Sequence, residues 1–305
     1  MTTETLHAVT GAAGYSGRAI TSLLLDQGHS VRSLTAHPDR PDPFGGRVQP
    51  ALLDWERPEA IARALEGVRV LYNTWWIRFA HGDTHHSLAV ERSRVLVHAA
   101  NQAGVERIVH TSITQPSADS PLPYFAGKAA VEQAVRGSGM SWAILRPAVF
   151  FGGRDVLLNN IAWLLRRLPA FGVPGDGRYR VQPIHVDDFA HLAVTQGALR
   201  EDVTLDAVGP EAYAYDDLVR LLAKAVDHPV RLLHLPPGLV LLASKLLGPI
   251  VGDVVLTRQE IDGLMADLLV SDQDPTGTTR LSDWLRENGD ALGRTWANEL
   301  KRHYR

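Results

Sequence analysis

The chain has 305 residues, 45% of them hydrophobic and 21% charged, with a formal charge of −3 and no cysteine. That length supports a large globular core, most naturally one big α/β domain with a smaller lobe. The small net charge and the lack of any run of like charges speak against nucleic acid as a partner, and the missing cysteines exclude disulfides and thiolate metal sites. Residues 1–5 carry neither the basic nor the apolar run of a secretory signal, so a cytoplasmic protein is expected.

Taken in order, residues 7–10 read as a first strand, residues 11–17 as a glycine-rich turn, and residues 18–27 as a helix. Further strands are predicted over 30–35, 48–52, 69–73, 107–111, 141–146 and 204–208, with helical patterns between most of them. Strands apolar on both faces that alternate with helices predict a doubly wound parallel sheet, the Rossmann fold, with right-handed crossovers. After Pro147 the rhythm changes to a helical run over 156–168, a Gly- and Pro-rich loop over 171–177, and several helices beyond Val208 without clear strands between them. The expected division is a Rossmann domain over 1–150, to which 178–208 return, and a smaller, mostly helical C-terminal lobe from 151–177 and 209–305.

The most apolar stretch, 235–251, holds three prolines and Lys245. It falls short of the roughly 18 uninterrupted apolar residues that a membrane span requires. A buried helix of the smaller lobe is expected there, with a surface-anchoring helix as the alternative. Thr257 followed by Glu260 is a capping-box pattern that predicts a helix from Arg258.

Two motifs carry chemistry. The first is Gly11-Ala12-Ala13-Gly14-Tyr15-Ser16-Gly17, placed between the first strand and its helix. Glycines let the backbone turn sharply and approach a pyrophosphate, and the helix N-terminus offers N–H groups and a positive dipole end. Gly11, Gly14 and Gly17, with Ala13 and Tyr15 between them, are therefore candidate dinucleotide ligands; the bland reading is an ordinary glycine-rich turn. The second is Tyr124-Phe125-Ala126-Gly127-Lys128, which puts a phenol and an ammonium one helical turn apart just after Pro121 and Pro123. A tyrosine of ordinary pKa, about 10, is a weak base at neutral pH, and a neighbouring ammonium favours its phenolate.

The glycine turn, the Tyr-x-x-x-Lys pair and the hydroxyl-rich segment His110-Thr111-Ser112-Ile113-Thr114 together resemble the short-chain dehydrogenases/reductases. Leu145-Arg146-Pro147 with Gly152, His185-Val186-Asp187-Asp188, and Asp54 after the third strand are similar to the extended and atypical branches: epimerase/dehydratase-like, complex I accessory-subunit-like and NmrA-like. The resemblance implies Tyr124 as proton donor or acceptor, Lys128 as its electrostatic partner and a ligand of the nicotinamide ribose, and Ser112 as a donor to the reacting oxygen. Thr111 and Thr114 stay open as alternatives to Ser112. It also implies Asp54 and Pro147 at the cofactor, Asp54 accepting from the adenine amino group; the plain alternative for Asp54 is a helix cap before Pro58.

Cofactor choice depends on the end of the second strand, where an acid chelates a ribose diol or a base meets an extra phosphate. Thr35-Ala36 stands there with no carboxylate, and Arg40 and Arg18 lie nearby, so NADP is expected ahead of NAD. Trp75, Trp76 and Arg78 follow the fourth strand as pocket or core residues. His81, His85 and His86 lack the acid or thiol that would complete a metal set, and no metal is expected. Arg178 and Arg180 are candidates for a substrate anion or for plain surface.

The function implied is an NAD(P)-dependent oxidoreductase acting on a small-molecule carbonyl or alcohol. The alternatives are a non-catalytic NAD(P)-binding sensor or scaffold, and an epimerase or dehydratase of a sugar nucleotide. A homo-oligomer is left open.

Overall fold

The computed structural model describes residues 5–153 and 155–303. The chain runs β1 (Leu6–Thr10), α1 (Tyr15–Asp26), β2 (Ser30–Thr35), β3 (Val48–Leu52), α2 (Pro58–Ala64), β4 (Val70–Asn73), α3 (His86–Gln102), β5 (Arg107–Thr111), α4 (Pro123–Arg136) and β6 (Ser141–Pro147). It continues with β7 (Val149–Phe151), α5 (Leu157–Leu165), β8 (Ala170–Pro174), β9 (Arg180–Val181), β10 (Pro183–His185), α6 (Val186–Ala198) and β11 (Val203–Ala207). The last elements are β12 (Tyr213–Ala214), α7 (Tyr215–Ala225), β13 (Arg231–Leu235), α8 (Pro237–Val251), α9 (Arg258–Met265), α10 (Leu281–Asn288) and α11 (Glu299–His303). Two compact units result: one runs to Arg146 and resumes over Phe189–Asp206, and the other is formed by Pro147–Asp188 and the chain from Ala207 onward.

The first unit is built on a seven-stranded sheet in the order β3-β2-β1-β4-β5-β6-β11, and every pairing from β3 through β6 is parallel. All four residues of β4, and four of the five in both β1 and β5, are buried. That is how strands read when helices cover both faces of a sheet. The strand order reverses between β1 and β4, so the crevice at their C-terminal ends is where a doubly wound sheet receives ligand. Arg107, almost fully buried at the opposite end of β5, donates to the carbonyls of Gln196 (2.7 Å) and Glu201 (2.9 Å) and ties the end of α6 to the sheet.

The second unit has its own core, in which Leu158, Ala162 and Leu165 of α5 meet Leu218 and Leu222 of α7 and Leu281 and Leu285 of α10. Three two-stranded pairs accompany its helices: β7 with β10, β9 with β12, and β8 with β13. The expected loop over 171–177 is corrected here, because Ala170–Pro174 is a strand paired along its whole length with Arg231–Leu235. Its bounding prolines and central glycine disguise it, and a two-stranded pair tolerates them where a central strand would not. The strand β13 also corrects the expectation of helices alone beyond Val208. The chain returns to the first unit at Phe189 rather than at residue 178.

Thr257 and Glu260 do form a capping box that opens α9: the Thr257 hydroxyl accepts from the Glu260 N–H (3.3 Å), and the Glu260 carboxylate accepts from the Thr257 N–H (2.8 Å). The expected buried helix over 235–251 is a helix, Pro237–Val251, but Ser244 is its only buried residue. Among the described residues no helix is long and apolar enough to cross a membrane.

Candidate active site

The glycine turn closes by hydrogen bonds from Gly11 N–H to the Leu34 carbonyl (2.9 Å) and from Gly14 N–H to the Gly11 carbonyl (2.7 Å). Gly11 has φ +64°, and a Cβ on Gly17 would lie 2.4 Å from the Gly11 oxygen, so both positions require glycine. The helix starts at Tyr15, three residues before the expected Arg18, because the turn itself supplies its first winding. No side chain caps Gly14, and the first turn of α1 holds no carboxylate. The positive end of the helix is thus left for an anion, and Ala13 is exposed at the turn, which is the environment a pyrophosphate needs.

The ends of β1, β4 and β5 are joined by a row of buried polar side chains. The Thr10 hydroxyl accepts from the N–H groups of Thr74 (2.8 Å) and Trp75 (3.0 Å), and the Thr74 hydroxyl donates to the Thr10 carbonyl (2.6 Å). The Thr10 hydroxyl also donates to the Asn73 side-chain oxygen (3.2 Å). The Asn73 amide in turn lies 3.2 Å from His110 Nδ1, an arrangement that assigns the ring proton to Nε2. Burial and the nearby Lys128 hold His110 far below the usual histidine range, so it stays neutral. Its Nε2 has no hydrogen-bond partner among the described residues.

Helix α4 supplies the acid–base candidates. Pro123 starts the helix, and Tyr124, Lys128, Glu132 and Arg136 follow at four-residue intervals, a single ridge along it. Lys128 is buried, donates from Nζ to the Thr111 carbonyl (2.8 Å), and lies 4.7 Å from the centre of the Trp76 ring. Burial pushes its ammonium down to about 7, with Glu132 acting in the opposite direction. Glu132 takes a two-pronged bond from Arg146 (2.8 and 2.6 Å) and another from Arg136 (3.0 Å). Although burial opposes ionisation, those arginines and Ser112 keep the carboxyl below its ordinary value.

Around Tyr124 the walls are aromatic. Trp76 (6.0 Å, 89°) and His86 (5.7 Å, 80°) both meet its ring edge to face, and Trp76 and His86 stack on each other (6.1 Å, 17°). Trp76 sits against Gly127, where a Cβ would come within 3.0 Å of the indole. His86 is buried and its proton affinity is lowered by that burial, by His85 and by Lys128.

The structure separates the sequence candidates. Lys128 reaches the end of β5, and Tyr124 precedes it by one turn of α4. Ser112 is buried, and its hydroxyl helps to keep the Glu132 carboxyl ionised. Thr111 contributes its carbonyl rather than its hydroxyl to Lys128. Asp54 accepts from Glu56 N–H (3.1 Å) and from Arg57 Nε (2.7 Å), stabilising the turn before α2, whose N-cap is Arg57. Arg40 is exposed beyond the end of β2, where the Thr35 hydroxyl accepts from His37 N–H (3.1 Å). Pro147 ends β6 at the start of the second unit.

Trp75 packs on Trp55 (4.8 Å), and both tryptophans of the pair lie against the core. His85 caps α3 through Leu88 N–H (3.1 Å), while His86 is buried. Arg178 is exposed, and Arg180 is committed to Asp267 (2.7 Å). Glu132 and Asn73 are residues that sequence reasoning missed, and His86 and His110 are ones it named without a part in this site; for Glu132 the signal was present, as the same four-residue spacing continues past Lys128.

A family model described as NAD(P)H-binding matches residues 11–156, from the first glycine of the turn through the whole of α4. The chain carries an NAD(P)H-binding domain. The domain's Rossmann architecture and the resemblance drawn from its motifs fit this match. Over 288 residues the chain is 25% identical to the mitochondrial NADH dehydrogenase (ubiquinone) 1 alpha subcomplex subunit 9 of Arabidopsis thaliana, covering 87% of this chain and 70% of that one. It is 28% identical over 247 residues to the ceramide reductase of Caulobacter vibrioides, covering 79% and 76%.

Among solved structures it is similar to the NADPH-dependent quinone oxidoreductase of Escherichia coli in complex with NADPH, at TM-score 0.74 and 19% identity over 92% of this chain and 99% of the other. It is also similar to the Citrobacter triphenylmethane reductase with NADP(H), at 0.74 and 19% over 93% and 99%. At such identity these two establish the fold.

Proposed function

We propose that this protein is an NAD(P)H-dependent reductase of a small-molecule carbonyl, with Tyr124 as its general acid. The observation that carries the reading is the α4 ridge, which sets Tyr124 one turn from a buried Lys128 at the C-terminal end of β5. Bound there, a nicotinamide supplies the hydride that a carbonyl carbon receives. The protein's own part is the proton. Tyr124 hands its phenolic proton to the substrate oxygen, and the Lys128 ammonium stabilises the phenolate left behind.

Gly11, Gly14, Gly17 and the N-terminus of α1 hold the pyrophosphate, with Ala13 and Tyr15 beside it. Arg40 meets a 2′-phosphate in the absence of any carboxylate at Thr35-Ala36, which favours NADPH over NADH. Asp54 and Pro147 remain cofactor contacts by resemblance. Ser112, turned toward Glu132, is the weakest of the catalytic candidates, and its part is to keep the ridge ordered. The names of the relatives and neighbours, reductases of a ceramide, a quinone and a dye, are in keeping with a reductive reaction.

A second reading, a dinucleotide-binding sensor or scaffold without turnover, is favoured by one observation: the Trp76 ring covers Lys128 and meets Tyr124 edge-on. Epimerases of sugar nucleotides share the fold as well. Tyr124→Phe decides between the first two. For a reductase the variant keeps its NADPH affinity and loses at least about 100-fold in turnover on whichever aldehyde, ketone or quinone of a substrate panel the wild type reduces. Equal turnover by the two proteins would remove Tyr124 from the reaction, and no turnover by the wild type on the whole panel would leave the sensor.

A further inference from the structure

The helix α8 inverts the usual arrangement of apolar residues. Leu239, Leu242, Leu246 and Ile250 are 52, 54, 69 and 78% exposed, and Ser244 alone is buried. At 100° per residue those four fall within an arc of about 80°, opposite Ser244, so they form one stripe along the outer face. Together with Leu233 on β13, this short segment holds five of the nine large hydrophobic side chains that are exposed among the described residues. Isolated exposed leucines need no explanation; a continuous stripe does.

Charge identifies what covers it. From His228 to Gly252 there is no carboxylate, although the chain as a whole carries −3. Arg231, on the strand that leads into α8, and Lys245, beside the stripe, are exposed cations. A second copy of the same face would set these cations against their own kind. Four side chains exposed by half to three quarters also offer only about 400 Å2, against the about 800 Å2 per partner that a stable protein interface buries. Lipid imposes no such minimum: apolar side chains enter the acyl boundary while a flanking lysine reaches the phosphates.

We propose that α8 is a peripheral membrane-binding helix, lying flat on an anionic bilayer with Leu239, Leu242, Leu246 and Ile250 in the acyl boundary and Lys245 at the headgroups. At fifteen residues the helix lies on the surface and does not span. The test is co-sedimentation of the full-length protein with vesicles of phosphatidylcholine alone and of phosphatidylcholine mixed with phosphatidylglycerol. The wild type should sediment with the mixed vesicles and much less with the neutral ones. Leu242→Glu combined with Leu246→Glu should cut the bound fraction at least about tenfold with an unchanged circular dichroism spectrum, since both lost contacts lie outside the fold. Lys245→Glu should weaken binding to the mixed vesicles only. Failure of the wild type to bind either vesicle would overturn the proposal, and so would an oligomer in solution that the double variant dissociates, because the occupant would then be a second copy.

Discussion

Helices α4 and α8 break the same rule in opposite directions. The first buries a lysine and a glutamate, and the second exposes leucines and an isoleucine. Much of the first unit's sheet follows the ordinary pattern, as in the fully buried Leu34, Leu71, Ile108 and Ile144. A sequence that obeys its pattern nearly everywhere departs from it where something other than folding sets the residue. In α4 the departure is compensated internally: Arg146 and Arg136 neutralise Glu132, and Thr111 and Trp76 engage Lys128. In α8 nothing among the described residues covers the stripe, and the proposed bilayer would supply its compensation.

The largest effect that would sharpen this contrast comes from the centre of the α4 ridge. Glu132→Ala leaves Arg146 without the carboxylate that holds it, and should destabilise the protein by about 2–4 kcal/mol in denaturant unfolding. A loss below about 0.5 kcal/mol would mean that the ridge is not a connected network.

Lys128→Met acts with the opposite sign. The folded protein holds this lysine at about 7, whereas an unfolded chain holds one near the ordinary 10.5, so between those values the unfolded state binds the extra proton and stability rises with pH. The cost of burying the charge is therefore complete below about pH 7 and disappears as the pH approaches 10.5. The methionine variant should be about 1 kcal/mol or more stabler than wild type at pH 6 by thermal unfolding, and that gap should close in alkaline buffer. A gap that widens with pH would contradict the assignment. The variant should also bind NADPH more weakly, since stability and ligand contact are set against each other at this position.

The smallest effect belongs to α8. Leu246→Ala removes a side chain that is already 69% exposed, and should change stability by no more than about 0.5 kcal/mol. A change of 2 kcal/mol or so, the size expected in a core, would show that the stripe packs against the protein itself.

What could be read in advance follows the range of each interaction. The sheet of the first unit is legible because its strands are buried runs separated by helices, and the glycine turn because its requirements are local: a left-handed Gly11 and a Gly17 pressed on the Gly11 carbonyl. The spacing of Tyr124 and Lys128 is legible for the same reason. The partner of Glu132 is not, because Arg146 reaches it only through the placement of β6 beside β5. The pairing of β8 with β13 joins distant segments that carry prolines and a glycine, and nothing local announces it. The hydropathy of α8 gives its apolar content but not which face is covered, and so a buried helix was the natural expectation for what is an exposed one.

The proposed activity requires first a dinucleotide seated at the N-terminus of α1. Gly14→Asp is a poor probe of it, since a Cβ there would lie 2.9 Å from the Gly11 carbonyl and disturb the turn itself. Ala13 is exposed at the same turn, so Ala13→Asp brings a carboxylate to the helix N-terminus without replacing a glycine. Calorimetric titration of NADPH into the wild type and this variant is the most direct measurement. A wild type that binds, and an Ala13→Asp protein with the same circular dichroism spectrum but affinity reduced at least about tenfold, about 1.4 kcal/mol, is the predicted result; equal affinities would place the cofactor elsewhere and contradict the account.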